Sequence, residues 1–251
     1  MIASLTRATA VLPILAIAGA CLAAQAGDFQ LCHENPATNP DVAIRACTAA
    51  IGSGQLSGAD RAGASLDRGI AYLHKENYDL AIRDFDQAIR GQPDLAAAFD
   101  RRCQAYLRKH DDARALPDCE QAIRLDPKAA RPVYGRGLIR RHSGDHDRAA
   151  LDFDQAIRLA PEVTGAYRGR GYNYAVRHQY DQAIQEYGRP LRINPDASDY
   201  QSRGWAYYQK GEYISALGDY VQATRWQPSM LLRWPWTWLV ALAWLVYLLG
   251  A

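Results

Sequence analysis

Residues 68–93, Arg68-Gly69-Ile70-Ala71-Tyr72 through Tyr78-Asp79-Leu80-Ala81-Ile82-Arg83-Asp84-Phe85-Asp86-Gln87-Ala88-Ile89-Arg90 to Pro93, decide the fold, because they recur. Aligned on Gly69, the same register passes through Cys103, Gly137, Gly171 and Gly204. Twelve residues after each comes an alanine: Ala81, Ala115, Ala149, Ala183 and Ala216. An aromatic or thiol column follows (Phe85, Cys119, Phe153, Tyr187, Tyr220), then a proline column (Pro93, Pro127, Pro161, Pro195, Pro228). A period of this length marks a solenoid, in which one unit cannot bury its own apolar face and stacked neighbours must do so.

Each unit reads as two helices. Gly69 and Tyr72 share a face of the first. Lys75-Glu76-Asn77 is a polar break, and Ala81, Phe85, Ala88 and Ile89 form an amphipathic stripe on the second. Pro93 stops that helix, since the residue before a proline is pushed out of the helical region. Glycine and alanine let the paired helices approach, and the aromatic ring fills the wedge beside the contact.

The Gly-x2-Tyr, Ala-x3-Phe-x2-Ala and closing Pro pattern resembles the tetratricopeptide repeat, five times over residues 62–228. That resemblance implies an all-α, right-handed α-solenoid of helix-turn-helix repeats. Three positions depart from it: Cys103 in the glycine column, Arg140 in the tyrosine column and Pro190 in the last alanine column. Pro190 falls inside a helix and is expected to kink it, at about 3 kcal/mol if uncompensated. Upstream, Ala43, Cys47 and Ala50 repeat the second-helix pattern, so residues 28–61 read as a truncated capping repeat with a loop at Ser53–Gly58. The whole is expected to behave as one array.

The first 26 residues differ in kind. Arg7 is the only charge before Asp28, an apolar run spans Ala8–Ala24, and Ala24-Gln25-Ala26 has the small-x-small cleavage pattern of a secretory signal peptide. Residues 230–251 read as a membrane helix: no charge lies between Trp234 and Ala251, eighteen residues span about 27 Å, and Trp234, Trp236 and Trp238 crowd one end. The alternative is the helix that closes such a stack, which needs a polar outer face. Arg225 and Arg233 beside the apolar run argue for cytoplasmic repeats. The signal pattern and the cysteines argue for exported, periplasmic repeats anchored in an inner membrane, and this is the reading adopted.

Four cysteines follow the signal pattern, in pairs 15 and 16 residues apart: Cys32 with Cys47, and Cys103 with Cys119. In an exported chain an even, hairpin-spanning set suggests disulfides, Cys32–Cys47 first among them. Cys103 and Cys119 read either as a bridge or as small buried hydrophobes. No C-x2-C spacing is present, so no metal site is expected.

A second register accompanies the first. Arg68, Arg102, Arg136, Arg170 and Arg203 precede the glycine column, and sixteen residues later stand Asp84, Asp118, Asp152, Glu186 and Asp219. Guanidinium and carboxylate in fixed phase read as a structural ladder of ion pairs, the alternative being an arginine row that takes an acidic ligand.

Catalysis finds no constellation. Gly135-Arg136-Gly137 and Gly169-Arg170-Gly171 sit within first helices with no strand before them, so a nucleotide loop is excluded by context. His142-Ser143-Gly144-Asp145-His146-Asp147 lies in an inter-helix turn. Neither a nucleophile elbow nor a zinc-protease motif occurs, and no cofactor is expected. A net charge of +2 and no aromatic-studded basic run give no nucleic-acid footprint. Binding of a protein or peptide remains. The resemblance implies a groove lined by first helices, and position places Arg101, Gln104, Arg131, Tyr134, Arg168, Tyr172, Trp205 and Tyr208 on it. The asparagine-and-lysine carboxylate clamp of some such proteins is not matched. The reading is a non-catalytic scaffold for protein–protein interaction in a bacterial envelope, or else an assembly factor or regulatory subunit of an envelope polymer-synthesis enzyme.

Overall fold

The computed structural model describes residues 29–34 and 36–226. The expected signal peptide (1–26) and the expected membrane helix (230–251) lie outside them. Every regular element among the described residues is helical. A helical segment over 29–33 precedes α1 (Pro40–Gly52), α2 (Gly58–His74), α3 (Tyr78–Gly91), α4 (Ala96–Arg108), α5 (Asp112–Leu125) and α6 (Ala130–His142). There follow α7 (His146–Leu159), α8 (Thr164–Val176), α9 (Tyr180–Gly188), α10 (Pro190–Ile193), α11 (Ala197–Lys210) and α12 (Tyr213–Trp226). No described helix is long and apolar enough to cross a membrane.

The chain divides into two compact units, one ending at Ile139 and the other beginning at Arg140, where the sequence alone suggested a single array. The division falls inside α6, at the arginine that stands in the tyrosine column. In the first unit α1 packs on α2, α2 on α3, α3 on α4 and α4 on α5. In the second, α7 packs on α8, α8 on α9, α9 on α11 and α11 on α12.

The turns follow one local rule. The residue seven beyond the glycine column has positive φ in all five hairpins: Glu76 (58°), His110 (58°), Gly144 (81°), His178 (59°) and Gly211 (89°). A left-handed residue there closes the first helix with a bond from the next amide to the tyrosine-column carbonyl. Examples are Asn77 N to Tyr72 O and Glu212 N to Tyr207 O, both 2.9 Å. Second helices start on side-chain caps in two of these turns, where Asp111 accepts from Arg114 N and Asp145 from Arg148 N.

The column residues form the contacts expected of them. A Cβ on Gly69 would lie 2.5 Å from the Phe85 ring, so only glycine admits that ring. Phe85 and Phe153 are fully buried, each worth about 1.5–3 kcal/mol of apolar transfer. The Gly-Arg-Gly segments answer to packing as well: a Cβ on Gly169 would meet the ring of Phe153, on the hairpin before, at 2.5 Å, one on Gly171 the ring of Tyr187 at 2.8 Å, and one on Gly135 the sulfur of Cys119 at 2.8 Å. These glycines admit neighbouring side chains, not phosphates. Where Cys103 displaces glycine, Cys119 displaces the ring, and the two join a cluster with Tyr106, Ala115 and Ile139.

Two prolines behave differently. Pro117 lies within α5 and the helix runs through it. Pro190 does divide its helix: α9 stops at Gly188, Arg189 intervenes, and Pro190 becomes the first residue of α10. At that position its missing N–H costs nothing.

Candidate functional site

The ladder is built from a first-helix arginine and a second-helix acid in each hairpin. Arg68 donates through Nε and Nη2 to Asp84 at 2.8 and 2.7 Å, and Arg102 to Asp118 at 2.7 and 2.6 Å. Arg203 grips Asp219 at 2.8 and 2.7 Å, and Arg170 places both nitrogens on one oxygen of Glu186 at 3.0 and 2.7 Å. All four acids are buried, so each depends on its fork for solvation. Asp152, also buried, accepts from Arg140 Nη1 at 2.8 Å. The arginine that breaks the tyrosine column thus serves the ladder, a role the alignment did not suggest. The fork raises the pKa of Arg68, Arg102 and Arg203, chiefly through the hydrogen bonds to their acids.

Both cysteine pairs are joined. Cys32 and Cys47 have Cα atoms 4.7 Å apart, and Cys103 and Cys119 5.4 Å apart, with all four side chains buried. The first bridge ties the helical segment at 29–33 to α1, beside Ala46 and Ala64.

The proposed groove residues of the first unit are tied into the chain. Arg101 Nη1 donates to Gln104 Oε1 at 3.2 Å, and burial together with nearby Arg131 pushes its pKa down. Arg131 pairs with buried Asp100 at 2.7 Å. Tyr134 is half-buried.

Those of the second unit divide by type. Arg168 turns inward, donating to Asp196 at 3.0 Å and Ser198 at 2.8 Å, and lies 3.4 Å from Asp199. The aromatics face outward: Tyr172, Trp205 and Tyr208 are 44, 42 and 40 % exposed. Tyr172 lies under the Arg141 guanidinium at 5.1 Å, Trp205 meets Tyr180 edge-on at 6.3 Å, and Tyr208 stacks at a tilt on Tyr213 at 5.6 Å. Val176, one turn beyond Tyr172, is exposed as well and extends the apolar strip on α8. Rigid, half-exposed tyrosine and tryptophan are the side chains that anchor protein interfaces. The histidine pair flanks the turn: His142 ends α6, His146 begins α7 with Gly144 between them, and His146 Nδ1 lies 3.2 Å from Asn173 Oδ1.

One buried acid escaped the sequence reading. Asp199 has neither carboxylate oxygen hydrogen-bonded among the described residues and no solvent exposure. Burial pushes its pKa up to about 6, and Asp196 adds to this while Arg168 opposes it. The signal was present in the register. The same position holds Ala64, Ala98, Pro132 and Ala166 in the earlier hairpins, all buried.

Comparison with known proteins agrees with this geometry. The tetratricopeptide-repeat family model matches residues 37–96 and 102–164. The solved structure of MamA is 23 % identical, covering 65 % of this chain and 96 % of its own, with a TM-score of 0.53. TTC0263, a thermophilic repeat protein of Thermus thermophilus, is 19 % identical over 68 % of this chain and 93 % of its own, with a TM-score of 0.59. YrrB, described as having an unusual peptide-binding site, is 20 % identical over 75 % of this chain and 96 % of its own, with a TM-score of 0.53. No curated protein sequence matches the chain. The chain is a tetratricopeptide-repeat protein, an all-helical solenoid of helix-turn-helix repeats. Such a fold supports a role in protein interaction.

Proposed function

We propose that the protein is a non-catalytic scaffold that binds a protein or peptide partner in a bacterial cell envelope. The observation that carries the binding role is the half-exposed aromatic set on α8 and α11, Tyr172, Trp205 and Tyr208, which the fold leaves outside its core. The arginines on the same helices are engaged with the chain's own acids, so aromatic and apolar contact, not charge, sets the affinity. The envelope location rests on residues 1–26, on the paired cysteines and on the apolar stretch from Trp234 to Ala251. Those segments favour exported repeats held at the inner membrane. The second reading, an assembly factor or regulatory subunit of an envelope polymer-synthesis enzyme, differs only in the partner.

Fractionation tests the location. Full-length protein should stay in the membrane pellet through carbonate extraction, and external protease should digest the repeats in spheroplasts. Release by carbonate removes the anchor, and protected repeats reverse the orientation. Purification from those membranes identifies the partner by its stoichiometry: a synthesis enzyme points to the second reading.

A further inference from the structure

The ladder arginines use their remaining nitrogen in a regular way. Arg68 Nη1 donates to Thr48 at 3.1 Å, Arg102 Nη1 to Asp86 at 2.5 Å and Arg170 Nη1 to Asp154 at 2.6 Å. Thr48, Asp86 and Asp154 all stand at one position, two residues beyond the acid-column site of the preceding unit. Before Arg203 that position is Gly188. Arg203 commits Nε and Nη2 to Asp219, and its Nη1 has no hydrogen-bond partner among the described residues. The nearest atom to a Cβ built on Gly188 is that same Nη1, at 3.7 Å.

The missing strut coincides with the break at Pro190. Together they open a cavity of about 570 Å³ between α9, α10 and α11, lined by Gly188, Arg189, Arg192, Tyr200, Arg203 and Tyr207. No carboxylate lines it. Arg192 is exposed and makes no ion pair among the described residues, while Arg189 reaches Glu186 only at 3.6 Å. Neither Tyr200 nor Tyr207 has its hydroxyl hydrogen-bonded among the described residues, and Ile184 and Leu191 add apolar wall.

We propose that this cavity is a binding site for a phosphate monoester, its phosphoryl oxygens held by Arg203 Nη1 with Arg189 and Arg192, and its organic body against Tyr200 and Tyr207. Arg192 brings a charge without an acid partner among the described residues, and Arg203 Nη1 and the loosely paired Arg189 add donors, a set that suits an anion; the planar fork matches phosphate oxygens. The volume suits a small organic ligand, and phenols with aliphatic walls are the usual lining for its body. The site is separate from the aromatic face described above. The same phosphate chemistry can come from a free ester or from a phosphorylated side chain of a partner.

Calorimetry on the full-length protein tests it, with phenyl phosphate, phenol and a phosphotyrosyl peptide as titrants. Phenyl phosphate should bind and phenol should not. Gly188→Asp restores the strut, occupies Arg203 Nη1 from within and should weaken phenyl phosphate at least about tenfold. Its melting temperature should hold or rise, so loss of fold cannot mimic the loss of binding. Arg192→Ala, at an exposed position, should weaken binding by about tenfold. Tighter binding of the peptide than of phenyl phosphate assigns the ligand to a partner side chain, and the reverse order to a free ester; both support the site. Absence of binding by the wild type at millimolar phenyl phosphate, equal binding of phenol, or full affinity in Gly188→Asp would overturn it.

Discussion

Arg102 of one hairpin holds Asp118 of the same hairpin with two nitrogens while its third reaches Asp86 of the hairpin before. One side chain thus fixes the angle within a repeat and the register between repeats. The two contacts differ in weight, because Asp118 is buried and the Asp86 side chain is about a third exposed. Arg102→Ala leaves Asp118 buried without its partner and should cost about 3–5 kcal/mol in urea unfolding. Asp86→Ala should cost no more than about 1 kcal/mol. A double-mutant cycle over Arg102 and Asp118 should show strong coupling; additive losses would mean that the pair is coincidental.

Asp199 imposes a pH dependence with a definite sign. Folding raises its pKa from 3.8 to about 6, so between those values the folded chain holds a proton that the unfolded chain releases. Its contribution is intact below pH 4 and declines as pH rises through 6, by about 3 kcal/mol at most. Asp196, which burial raises but Ser198, the Asp199 amide and Arg168 together hold low, contributes the opposite slope at lower pH. The difference between wild type and Asp199→Ala therefore isolates the effect. The variant restores the small buried residue found at Ala64, Ala98 and Ala166, and should be more stable at pH 8 than at pH 4 relative to wild type. A pH-independent difference would place the acid in contact with water or a hydrogen-bond donor.

Protein from its native compartment, denatured without reductant, should present no free thiol from Cys32, Cys47, Cys103 or Cys119. Closing loops of 15 and 16 residues contributes about 3 kcal/mol each through the unfolded state, so reduction should lower the melting temperature. Four alkylatable thiols would refute both bridges.

Much of this architecture was legible because a repeat reports each position several times. The columns located the hairpins, and Pro190 marked the break that the structure has at Arg189. The arginine and acid registers lie where Arg68, Arg102, Arg170 and Arg203 meet their acids. The third contacts were not legible. A column names an arginine and its in-phase acid, but Nη1 takes whatever the neighbouring hairpin offers, whether Thr48, Asp86 or Asp154. Arg140 departs from the tyrosine column, yet its guanidinium reaches Asp152. Position in the repeat alone cannot tell an arginine facing outward from one captured by the next hairpin. Arg168 is captured; Trp205 is not.

The aromatic face of α8 and α11 carries the central claim, and site-specific photo-crosslinking from position 205 tests it most directly. With a photoreactive phenylalanine at 205 in otherwise wild-type protein in cells, one discrete adduct to another protein should form. It should weaken when Tyr172→Ala and Tyr208→Ala are added, by about tenfold or more if these side chains anchor the partner. Absence of any adduct from position 205, or an adduct indifferent to both substitutions, would contradict a partner-binding role for this face.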